Sequence, residues 1–69
     1  MPGYDESTWL PLATWLVFPR KKWPDADVAM SEIIAKHILG HKIDESAERI
    51  KWRYEKLKEF YKAIGGKMP

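Results

Sequence analysis

Ala47-Glu48-Arg49-Ile50-Lys51-Trp52-Arg53-Tyr54-Glu55-Lys56-Leu57-Lys58-Glu59-Phe60-Tyr61-Lys62-Ala63-Ile64 is the stretch that decides the fold. Ala47, Ile50, Tyr54, Leu57, Tyr61 and Ile64 recur at alternating intervals of three and four, which places them on one face of an α-helix. Asp44 precedes the stretch as an N-cap. Gly65-Gly66 stops it, because glycine accepts the left-handed backbone on which helices end. The spacing predicts a long amphipathic helix whose buried stripe centres on Ile50, Tyr54 and Leu57. Round the helical wheel, Glu48, Glu55 and Glu59 form a band bordered by Lys51, Lys58 and Lys62 at i,i+3 and i,i+4 spacing, which is a solvated, salt-bridged face. The other border of the stripe carries Arg49, Arg53 and Lys56 with no acid among them. Trp52 and Phe60 lie near that border.

Upstream, a second helix is predicted from Asp25, a good N-cap, to Gly40, with Met30, Ile33, Ile34, His37 and Ile38 along one buried face. Only a short turn separates it from Asp44, so the two helices pair as a hairpin. Pro19 to Pro24, with Arg20, Lys21, Lys22 and Trp23, reads as a basic loop. Before it, Trp9-Leu10-Pro11-Leu12-Ala13-Thr14-Trp15-Leu16-Val17-Phe18 is aromatic and partly β-branched, and reads as a short helix or an irregular Trp-rich arm completing the core. The expected architecture is all-α: two principal helices in a hairpin-like arrangement plus this N-terminal arm. Residues 1–8 are expected to be a flexible tail, 9–66 the single domain and 67–69 a second tail.

A chain of 69 residues makes one domain with a marginal core. Without cysteine it has neither disulfides nor thiolate metal sites, so packing or a partner must stabilise it. Asn and Gln are absent as well, while Lys and Glu are plentiful, a composition that points to a heat-loving source or its virus. No run of about 20 apolar residues spans a membrane. Asp5 and Glu6 stand where a signal peptide needs a basic region, so the expected compartment is the cytoplasm or the interior of a virion or organelle, and not the exterior.

No residue pattern calls for catalysis. Ser7, Ser31 and Ser46 sit in no nucleophile motif, and Asp25, Asp27, Asp44 and Glu45 fall at helix starts, where capping and the helix dipole account for them. His37 and His41, with Asp44 beyond, share metal-ligand spacing. Gly40 breaks the helix between them and no third strong ligand follows, so a packed histidine and a loop histidine are the expectation, with no metal or other cofactor. Gly65-Gly66 precedes no helix that could receive a phosphate.

The positive signals are a pI near 9.0, the Arg20-Lys21-Lys22 cluster and the Arg49, Arg53 and Lys56 border. Such residues supply phosphate contacts, and a helix bearing Arg and Lys fits a major groove. The net charge of +2 is no more than ordinary soluble domains carry. Residues 47–62 also resemble the third, DNA-contacting helix of Myb/SANT-like domains, with its Trp-bearing pattern. Lys22-Trp23-Pro24-Asp25-Ala26-Asp27, followed by a helix ending in Gly40, is similar to the opening of that family's first helix. The two pieces cover about half the chain, and the family's middle helix has no room between Gly40 and Asp44. The resemblance implies a non-enzymatic DNA-binding protein, with Arg49, Lys51, Arg53 and Lys56 as its DNA-facing positions.

Two other readings compete. An adaptor or structural assembly subunit would bind a protein partner, or itself as a homodimer, through the amphipathic helix and the Trp-rich arm, with Trp52 and Phe60 as contact residues. Third, Trp9 to Trp23 would lie in a membrane interface between basic flanks.

Overall fold

Proline lacks the N–H that the first turn of a helix leaves unpaired, and its fixed φ suits that turn, so Pro24 opens the first helix. The computed structural model describes Trp9, Trp15, Leu16 and residues 19–65. Helix α1 spans Pro24–His37 and is preceded by a 3-10 turn over Arg20–Lys22, where a loop was expected. Asp25 is not its cap. Trp23 holds the N-cap position without a side-chain hydrogen bond, and Asp25 and Asp27 lie in the first turn, against the positive end of the helix dipole. Beyond the helix, Gly40 takes φ 71° and the His41 N–H turns back to the Ala35 carbonyl at 2.8 Å.

Helix α2 spans Ala47–Ala63. Its cap is Ser46, whose Oγ accepts from the Arg49 N–H at 3.2 Å, and Asp44 supports the cap by accepting from the Ser46 N–H at 2.9 Å. The expected cap was thus two residues early. Gly65, at φ 76°, ends the helix as anticipated. Residues 38–46 carry no helix, and no strand occurs among the described residues.

The chain is an all-α helical hairpin. Contacts run in opposite directions along the two helices: Trp23 meets Phe60, Asp25 meets Lys56, Glu32 meets Arg53 and Arg49, and Lys36 meets Glu45. The apolar core gathers at the open end, away from the connecting turn. Ala26, Ala29, Met30 and Ile33 of α1 face Leu57, Phe60 and Tyr61 of α2, and Trp9 and Trp15 are buried with them. The rings interlock at centroid distances of 5.2 Å for Trp9 and Tyr61, 5.7 Å for Trp9 and Tyr54, and 5.3 Å for Trp15 and Phe60, separations typical of aromatic pairs. Trp9 and Trp15 therefore supply core, as expected of the arm. Its residues 10–14 and 17–18, and the expected tails at 1–8 and 67–69, lie outside the described residues.

Both buried faces differ from those that apolar spacing predicted. On α2, Ile50 and Tyr54 are half-buried and Ala47 is exposed, whereas Arg53 and Phe60 are fully buried. On α1, His37 and Ile38 are exposed and Ala26 and Ala29 are buried, so His37 is not the packed histidine expected. Three things differ from the spacing alone: the tryptophans fill the open end, where small alanines leave room, Glu32 of the facing helix pairs with Arg53, and the last turn of α1 runs past the core.

Leu57→Ala is expected to cost roughly 2–5 kcal/mol by creating a core cavity, while Ile38→Ala should stay within about 0.5 kcal/mol; urea unfolding of both variants measures this. The Tyr61 hydroxyl is buried without a hydrogen-bond partner among the described residues, and burial pushes its phenol above the ordinary tyrosine value. Tyr61→Phe should accordingly leave stability unchanged or raise it by about 1 kcal/mol, read as the urea midpoint.

Candidate functional site

The Arg and Lys border of α2 lacks an acid only within its own helix. Across the hairpin stands Glu32 of α1. Arg49 grips its carboxylate as a fork, with Nε donating to Oε1 at 3.0 Å and Nη2 donating to Oε2. Arg53 Nη1 donates to the same Oε1 at 2.9 Å and to the Asp44 carbonyl at 2.8 Å. The Arg53 side chain is 0% exposed, so its place among DNA-facing residues is corrected: it is an interior ion pair. Arg49 is half-buried, and its guanidinium lies 3.9 Å from the centre of the Trp52 ring in a cation–π contact. The Arg49 hydrogen bond, helped by Arg53 and opposed by desolvation, holds the Glu32 carboxyl below the usual glutamate value. The reciprocal bond raises Arg49.

Lys56 lies 3.8 Å from Asp25 and 3.9 Å from Glu59, so it too has acidic neighbours. Phe60 is buried and is corrected from partner contact to core; Trp52 is half-buried beneath Arg49. Of the expected basic positions, Arg20, Lys21, Lys22 and Lys51 are exposed, and none forms an ion pair with a described acid. His37 and His41 are exposed on either side of Gly40, and no cluster of three metal-ligating side chains occurs among the described residues. No described helix is long and apolar enough to cross a membrane.

What sequence reasoning missed lies on the outer face of α1. Trp15, Leu16, Arg20, Ser31, Ile34, Ile38 and Leu39 line an open groove of about 470 Å³. Leu16 is 72% exposed, Ile38 52% and Leu39 60%. Ser31, Ile34 and Ile38 sit three and four residues apart, so they form one ridge about two turns long. The available signal was Ile38-Leu39 just before Gly40: apolar residues at a helix end, where the core no longer reaches. Counting Ile38 into the buried stripe concealed it, and Leu39 was given no place.

Set against protein-family models, curated proteins and solved structures, the chain matches none.

Removing the shared acid strands an interior charge. Glu32→Gln should destabilise the fold by about 3 kcal/mol at neutral pH. Because the folded-state value of Glu32 is depressed, its contribution is complete above the usual glutamate value of 4.5 and is lost as pH falls through the depressed one. Unfolding free energy measured from pH 7 to pH 2 should fall more steeply in the parent chain than in Glu32→Gln.

Proposed function

We propose that this chain is a small protein-binding module, an adaptor or assembly subunit, which engages a protein partner through the groove on the outer face of α1. The observation that carries this reading is the grouping of Leu16, Ile38 and Leu39, all largely exposed, round a single groove. Apolar side chains scattered singly over a surface need no explanation, but a contiguous set marks an interaction site. None of the three contributes to the buried core, so their apolar character serves something other than folding.

Nucleic-acid binding through α2 loses its main support, because Glu32 engages Arg49 and Arg53 and acids stand beside Lys56. Of the expected positions, Arg20, Lys21, Lys22 and Lys51 remain for a phosphate backbone, and each phosphate contact contributes only about 0.9 to the logarithmic salt slope. The face of α2 expected to serve as a dimer seam packs in part against α1 of the same chain, through Leu57 and Tyr61. Interhelical ion pairs and the absence of Asn, Gln and Cys together favour a heat-adapted source, where ion-pair networks gain weight.

Leu39→Glu tests the proposal, since an exposed position accepts the charge without loss of fold. In affinity capture from extract with and without nuclease, the parent chain is expected to retain in both a saturable set of proteins that Leu39→Glu does not. A set indifferent to Leu39→Glu and removed by nuclease would overturn the reading and restore the nucleic-acid one.

A further inference from the structure

We infer that the groove's occupant is an acidic amphipathic segment of another protein: apolar side chains seated on Trp15, Ile34 and Ile38, with carboxylates reaching the 3-10 turn. This rests on the protein-binding reading above and names the chemistry of the partner. Charge complementarity carries it. Arg20 lines the groove itself, and Lys21 and Lys22 continue the same exposed turn. None of the three pairs with a described acid, whereas Lys56, Arg49 and Lys36 are each held by an acid of the hairpin. Arg20 at the groove, with Lys21 and Lys22 on the same turn adding to the local positive field, disfavours a basic segment and attracts an acidic one, and accelerates its capture.

The groove's shape narrows the occupant further. Its ridge of Ser31, Ile34 and Ile38 runs about two turns along α1 and its C-cap, which suits side chains spaced at i, i+3, i+4 and i+7 on an incoming helix. A second copy of this chain fits less well, because a two-fold interface sets the same patch against itself and brings both cationic turns to one contact. A lipid surface also combines apolar and anionic chemistry. It favours protruding apolar side chains over a concave groove whose floor includes the buried Trp15.

A random 16-residue peptide library displayed on phage, selected on the full chain, supplies the probe. Enriched peptides are expected to combine helical apolar spacing with Asp or Glu, and their synthetic forms should lose at least about tenfold in affinity on Leu39→Glu. The triple variant Arg20→Ala, Lys21→Ala, Lys22→Ala should weaken the same peptides about fivefold or more and flatten their salt dependence. Unchanged circular dichroism and melting temperature establish that both variants fold. Enriched peptides that need Leu39 but carry no acidic bias would overturn the acidic partner while the protein-binding reading stands. Failure to enrich any Leu39-dependent peptide would overturn both. Self-association abolished by Leu39→Glu, or sedimentation with phosphatidylserine vesicles abolished by it, would replace the partner with a second copy or a membrane.

Discussion

One carboxylate, that of Glu32, receives two guanidinium groups from the facing helix, and the hairpin is organised round that junction. An arginine with no exposed surface is tolerated only when its charge is met, since an uncompensated interior charge costs several kcal/mol. Glu32 meets it, and the Asp44 carbonyl takes a further donor from the same guanidinium. Because Arg49 and Arg53 are four residues apart on α2, both reach Glu32 in one rotational setting of that helix. The junction thus ties the two helices together in that register and rotation.

From that setting the division of the molecule follows. Toward the open end, Ala26 and Ala29 allow Leu57 and Phe60 to approach, and Trp9, Trp15 and Trp23 close round them. Toward the turn, packing gives way to polar links: Lys36 with Glu45, and Asp44 with the Ser46 cap. In so small a domain, where net stability is a small difference between large terms, concentrating the aromatic rings at one end yields a dense core from few residues. The cost is that the last turn of α1 projects beyond it, leaving Ile38 and Leu39 in water. The open groove on α1 is a product of the same geometry that makes the core.

Two classes of basic residue emerge from this arrangement. Arg49, Arg53 and Lys56 act inside the fold, as counter-charges to acids on α1, while Arg20, which lines the apolar groove, and Lys21 and Lys22 of the same turn are exposed. Composition treats all six alike. A pI near 9.0 reports their sum and cannot say which of them remain available to a partner.

Local signals in the sequence determined the helices: the interval of three and four along α2, Gly40 and Gly65 at the helix ends, and the acidic residues at the start of α1 made two helices and a hairpin legible, although they placed that start at Asp25 and not at Pro24. These signals act within a few residues of one another, so a linear reading reaches them. Much of the candidate site was not legible, because its residues act across the hairpin. Arg53 looked like surface by periodicity, and only Glu32, distant in sequence and adjacent in space, made it interior. Phe60 looked like a spare aromatic until Trp15 and Trp23 packed on it. Ile38 looked buried until the core ended short of it. Tertiary structure decided these three because pairing a charge, stacking a ring and covering an apolar side chain each depend on what the opposite element brings to the contact.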